Sequence, residues 1–152
     1  MTDDLAKKLD DTDLNETKSA KIKSKYFDKE KITTLVRGAV EQTLGNQAYR
    51  RDLAKQWIEQ VTEAVMAHLN SYQQQKKAEY ASGNGGQAGD DGLLPVIMKY
   101  MVHVVLLKKS PSVGFHSATS AIWDPSTDGM CSVTWENETM HLLVTVFEVN
   151  AI

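Results

Sequence analysis

Cysteine is almost missing from this chain. Cys131 stands alone among 152 residues, so no disulfide can close within it, and the composition fits a reducing compartment. Long apolar runs are missing as well. None approaches the roughly 20 residues of a membrane span. The N-terminus is polar and charged, without the apolar stretch of a secretory signal. A basic excess is also lacking. The net charge is −3 and the pI about 5.8, whereas a nucleic-acid binder usually carries a basic patch. The expected setting is therefore the cytoplasm or cytoskeleton, with no nucleic acid and no membrane among the partners. Two sequons, at Asn15 and Asn137, carry no chemistry without a secretory route.

What is present is enough for one core. Apolar residues make up 41% of the chain, and the length suits a single domain. Residues 1–26 do not contribute to that core. Leu5, Leu9 and Leu14 are too sparse, and acidic and basic side chains are balanced, so a flexible tail is expected. A short helix near Asp4–Leu9 would be marginal alone. The first strong pattern starts at Asp28, a good N-cap, with Phe27 placed as a staple against Ile32. Ile32, Leu35, Val36, Ala39, Val40, Thr43 and Leu44 then form one helical stripe, and Gly45 suits a left-handed helix end. A second stripe runs from Tyr49 through Leu53, Trp57, Val61, Val65 and Leu69 to Tyr72. The short connection predicts two neighbouring helices in a hairpin.

From about residue 73 to 93 the composition changes. Five of the nine glycines fall in 73–92, and no Ile, Val, Leu, Met, Phe or Trp does. A disordered, glycine-rich insertion is expected. Strand-like segments follow. The spacing predicts strands at Tyr100–Leu107, Val113–Trp123, Met130–Glu136 and Thr139–Val149. Asp124-Pro125 and Asp128-Gly129 mark a turn between the second and third. Helices followed by strands predict an α+β fold, in which a two-helix hairpin packs on a four-stranded antiparallel sheet.

Catalytic readings are thin. The Gly83–Gly89 stretch lacks the flanking strand, helix and Lys-Ser/Thr pair of a phosphate loop. His103, His116, His141 and Cys131 fall on strands, but none forms an H-x-H or C-x-x-C spacing. His116 and Ser117 are adjacent on a strand, so they point to opposite faces and cannot readily act as base and nucleophile. No enzyme activity, metal or cofactor is expected. The second predicted strand is different. Ser117, Ala118, Thr119, Ser120 and Ala121 are small on both faces, so they add little core and leave room for a visiting strand. Such an edge takes partners by β-augmentation, unless it is merely an edge blunted by solvent.

One further signal lies in residues 115–140. Phe115-His116-Ser117-Ala118-Thr119-Ser120, Trp123-Asp124 with Ser126-Thr127-Asp128-Gly129, and Cys131-Ser132-Val133-Thr134-Trp135-Glu136-Asn137 with Thr139-Met140 resemble the signature of the Tctex-type (Tctex-1) dynein light chains. Gly45-Asn46-Gln47-Ala48-Tyr49 and Trp57 fall where that family joins and packs its helices. The resemblance covers roughly 27–72 and 96–152. It implies a non-catalytic light-chain domain over 27–152 that dimerises by exchanging the second strand. It implies binding to the dynein intermediate chain by strand addition, in support of motor assembly or cargo attachment. The partner-binding residues carried over are Phe115, His116, Ser117, Ala118, Thr119 and Ser120. The tail and the insertion depart from compact members, and suggest an axonemal (cilium or flagellum) version, pairing as a homodimer or as a heterodimer with a related light chain. The alternative is an adaptor of the same fold that binds receptor or signalling tails outside any motor.

Overall fold

The computed structural model describes residues 27–82, 97–112 and 114–151, with Tyr80 and Ile97 described by backbone alone. The expected tail, its short helix and the glycine-rich stretch lie outside these residues. Helix α1 spans Lys29–Thr43 and α2 spans Ala54–Ala81. Strands β1 (Ile97–Lys108), β2 (Gly129–Glu136) and β3 (Met140–Ala151) form one sheet. Among the described residues no helix is long and apolar enough to cross a membrane.

Helix α1 starts and stops where its end residues dictate. The Asp28 carboxylate accepts the Lys31 N–H at 2.9 Å, which satisfies one of the free donors of the first turn. Ile32, Val36, Ala39 and Val40 are buried along one stripe. Gly45 takes φ +44°, the left-handed end that favours glycine. In α2, Trp57, Val61, Val65 and Leu69 form the buried face.

This helix corrects one expectation. Residues 73–81 are helical, not part of a disordered insertion. Gln, Lys, Ala and Glu lack an apolar stripe there, yet all are good helix formers. They extend a helix already nucleated by its packed turns, so each added residue costs little. Two contacts also tie the extension down. The Lys76 ammonium lies 4.6 Å from the centre of the Tyr72 ring, and the Gln73 amide donates to the Met98 carbonyl.

The sheet corrects another. Among the described residues it has three strands, in the order β1-β3-β2, with both pairs antiparallel. Of the expected strand over Val113–Trp123, residue 113 lies outside the described residues; residues 114–123 have no regular secondary structure, and 114–122 are exposed. Ser117–Ala121 offer almost no apolar surface, so little besides backbone pairing would hold them on the sheet of their own chain.

Two hydrogen bonds fix which backbone groups each strand leaves open. Lys109 N–H donates to the Thr139 carbonyl at 2.8 Å, and Asn137 N–H donates to the Met140 carbonyl at 3.1 Å. In an antiparallel ladder, one residue directs both its N–H and C=O to the partner and the next directs both away. Odd-numbered residues of β1 therefore face β3, while Tyr100, Val102, Val104 and Leu106 direct theirs outward. In β2 the outward residues are Met130, Ser132, Thr134 and Glu136. Both edges of the sheet are open among the described residues.

One face of the sheet packs on the helices. Cys131, Val133, Trp135, Met140, Leu142, Val144 and Val146 join the α1 and α2 stripes in a single core. Cys131 is buried, which pushes its thiol above the usual range and keeps it unreactive. One acidic side chain interrupts this inward face. Glu148 is fully buried, opposite Tyr100 on β1 and Gly129 on β2. Gly129 is required there, because a Cβ would run into the Phe27 ring. Among the described residues the other face of the sheet carries no helix, and Met101 and Met130 are exposed on it.

Candidate interaction site

The segment between β1 and β2 is fixed at both ends. At the first end, the Lys109 N–H bonds to Thr139, and the Lys109 ammonium lies 3.2 Å from a Glu136 oxygen. The same oxygen is 3.0 Å from His141 Nδ1. These groups are partly exposed, so they orient the chain more than they stabilise it.

At the second end, residues 124–128 form a closed turn. Asp124 Oδ1 accepts from the Ser126 N–H at 2.9 Å and from the Ser126 hydroxyl at 2.6 Å, which holds the Asp124 carboxyl below its ordinary range. The Asp124 N–H donates to Asp128 Oδ2 at 3.0 Å. Asp128 Oδ1 in turn accepts the Asn150 N–H at 2.8 Å. Residue 150 lies beyond the last β2–β3 pair, and its N–H points to the side where β2 has run out. The Asp128 carboxylate replaces the missing ladder acceptor. Trp123 then rests near Phe147 on the helix-free face, with ring centres 6.1 Å apart at 60°.

Between these anchors, Gly114–Ala121 is exposed and makes no hydrogen bond among the described residues. The structure places Phe115, His116, Ser117, Ala118, Thr119 and Ser120 together on this one exposed stretch. Phe115 is 47% exposed and Ile122 is wholly exposed, one large apolar side chain near each end. Ile122 does not stand out in the sequence, where it reads as one apolar residue near the end of a strand. A cavity of about 450 Å³ lies at the Phe115 end, lined by Leu107, Lys108, Pro111 and His141. Another of about 350 Å³ lies past the other end, lined by Phe27, Trp123, Pro125 and Met130.

The groups considered for catalysis are not brought together. Asp124 is engaged by Ser126 in its own turn. Cys131 faces the helices, whereas His103 pairs with Thr145 and His141 with Leu107, four positions apart in the ladder. Among the described residues, no group of three or more His, Cys, Asp or Glu side chains could hold a metal ion.

The matching of an exposed, doubly anchored segment to the motif around it raises the question of kinship. The sequence profile of the Tctex-1 family matches residues 26–149. The chain belongs to the Tctex-1 family. Among curated proteins it is similar to a human protein named dynein light chain Tctex-type 3, at 31% identity over 81% of this chain and 86% of that one. A Dictyostelium discoideum dynein light chain Tctex-type is 31% identical over 78% and 86% of the two chains. The Drosophila melanogaster dynein light chain Tctex-type is 30% identical over 76% and 84%. A light chain of this family is a non-catalytic subunit, in keeping with the expectation that this chain is no enzyme.

In this Tctex-1 protein the Trp135–Met140 motif is architectural. The Trp135 indole donates to Glu41 of α1 at 2.8 Å. Asn137 Oδ1 accepts the Thr139 and Met140 N–H groups at 3.0 and 3.1 Å, closing the β2–β3 turn, and its amide donates to the Gln47 carbonyl at 2.8 Å. The Thr139 hydroxyl accepts the Tyr49 N–H at 2.7 Å. The motif thus ties the hairpin of the sheet to the connection between the helices. Asn137→Ala leaves backbone groups at that junction without partners. It should lower unfolding stability by about 1–2 kcal/mol, read from urea midpoints. An unchanged midpoint would remove Asn137 from this role.

Proposed function

We propose that this protein is a dynein light chain that works as a dimer and holds an extended segment of the dynein intermediate chain by strand addition. The observation that carries this reading is the Gly114–Ala121 segment: anchored at both ends, exposed, and without hydrogen bonds among the described residues. It is eight residues long, the length of the open β2 edge. Laid along β2 of a second copy, it would meet the outward groups of Met130, Ser132, Thr134 and Glu136, while its own far side would face a visitor. Backbone hydrogen bonds then supply affinity, and the cavities near Phe115 and Trp123 supply side-chain selection. The helix-free sheet face, with Met101 and Met130 exposed, adds an apolar surface for assembly.

In this reading Phe115, His116, Ser117, Ala118, Thr119 and Ser120 contact the exchanged copy or the visitor. Two docking edges in one dimer raise apparent affinity through effective concentration, without any new contact. The setting is the microtubule cytoskeleton, and the departures outside the compact core favour an axonemal dynein. The partner copy is a second molecule of this chain or a related Tctex-type light chain.

Light scattering combined with affinity purification and mass spectrometry tests the proposal. The expected result is a dimer that co-purifies with an intermediate chain and sediments with the dynein complex. A monomer that captures no intermediate chain would overturn it. A dimer that captures receptor or signalling tails but never co-sediments with dynein would favour the free adaptor.

A further inference from the structure

The second open edge of the sheet, along β1, is not used by the arrangement above. β1 is a regular strand of twelve residues, paired one-to-one with β3 along its whole length and interrupted by neither bulge nor proline. Long, regular edges of this kind are rarely left bare, because they template pairing with another chain. Among the described residues only its start is capped, where Gln73 donates to the Met98 carbonyl. Beyond it, the N–H and C=O groups of Tyr100, Val102, Val104 and Leu106 point outward with no partner among the described residues.

Two features define what fits there. The first is an unfinished core. On the inward face, Cys131, Val133 and Trp135 of β2 are buried, but Tyr100, Val102, Val104 and Leu106 of β1 are only partly so. A strand added beside β1 would complete their burial with apolar side chains of its own. The second feature is charge. On the opposite face, β1 presents Lys99, Met101 and His103, all exposed, with Met101 at 57%. Among the strand residues that alternate onto that face the only carboxylate is Glu136, already bonded to Lys109 and His141. The chain as a whole is acidic, so the exposed Lys99 ammonium is a local exception.

We propose that the outer edge of β1 is a second strand-docking site, which takes an extended segment of a partner protein whose apolar residues alternate with acidic ones. The apolar residues finish the core over Val102 and Val104, and the acidic ones meet Lys99 and His103. This site is separate from the Gly114–Ala121 segment, so one light chain can hold two extended partners on opposite edges.

A fluorescent peptide of alternating valine and glutamate is the probe, followed by anisotropy. The full chain should bind it saturably. Val104→Pro should weaken binding by about tenfold or more with circular dichroism unchanged, because the Val104 N–H points away from β3 and proline is tolerated there. Lys99→Glu, a surface change that cannot disturb the core, should also weaken it and favour a valine–lysine peptide instead. Ser117→Pro should leave the binding intact, which separates this site from the other. Absence of saturable binding, or equal binding of the valine–lysine peptide by the unaltered chain, would overturn the proposal. So would self-association that Val104→Pro abolishes without any peptide, since the occupant would then be a second copy.

Discussion

Ser117→Pro is expected to abolish the assembled state while leaving the fold of each chain intact. Ser117 lies in the middle of Gly114–Ala121 and makes no hydrogen bond among the described residues, so the substitution removes nothing from the folded monomer. In a strand-exchanged dimer the same residue sits within a ladder. Proline removes a donor, and its ring crowds the neighbouring strand. Two lost or distorted hydrogen bonds at about 1 kcal/mol each correspond to about 30-fold weaker association for each exchanged strand. Light scattering should show a monomer, and an intermediate-chain peptide should lose affinity by a similar factor. Far-UV circular dichroism should not change. Ser117→Ala is the control: it keeps the backbone donor and should stay dimeric. A Ser117→Pro protein that is still dimeric and still binds the peptide would show that this segment is not the docking strand.

Glu148→Gln should stabilise the protein at neutral and alkaline pH. Glu148 is fully buried on the inward face of β3, and neither of its oxygens has a hydrogen bond of regular geometry. Burial holds its carboxyl above the ordinary range. The Lys76 ammonium and the adjacent Tyr100 hydroxyl pull it down, and Asp28 adds to the rise. The Tyr100 hydroxyl is itself pushed up, by burial first and by Glu148 second. A native carboxyl with a raised pKa means that the folded state binds the proton more tightly than the unfolded chain does. Its favourable contribution is complete below the unfolded value, about 4.3, and is lost as pH rises through the native value. Glutamine keeps the shape and carries no charge to desolvate, so it escapes this loss. The gain should be about 2 kcal/mol at pH 8, and it should shrink towards zero near pH 4. Lys76 is only half-buried and rests over Tyr72, so it stays solvated when the carboxylate is removed. Urea midpoints at the two pH values decide the matter. A Glu148→Gln protein less stable than the parent at pH 8 would mean that the attraction of Lys76 outweighs the cost of burial.

Much of this architecture could be read from residue order. The Asp28 cap, the Ile32–Val40 stripe and the left-handed Gly45 are local signals, and each is where the pattern places it. The alternation of Cys131, Val133 and Trp135 against Ser132, Thr134 and Glu136 gives the buried and exposed faces of β2 directly. Two readings went wrong for a shared reason. Residues 73–81 have no apolar stripe, so periodicity cannot reveal that they extend a packed helix and reach the sheet through Gln73 and Lys76. Val113–Trp123 has strand-like residues, so pattern counts it as a strand, yet its small side chains give the sheet of its own chain nothing to bury. Pattern reports what a segment can form. It does not report whether a partner for it lies within the same chain.

The candidate site divides in the same way. The small residues Ser117–Ala121 marked the segment as unusual in sequence, and the motif from Phe115 to Met140 marked the family. Neither showed that most of the polar residues in that motif are spent on architecture: Asn137 on the turn and on Gln47, Thr139 on Tyr49, and Asp128 on Asn150. The sequence by itself determined the elements, their faces and their kin, because caps, stripes and alternation depend on neighbours a few residues apart. Only the tertiary structure decided which backbone groups are left without partners, since that depends on pairings between residues far apart in the chain. Among the described residues those pairings leave two strand edges open, and one exposed segment held at both ends between them.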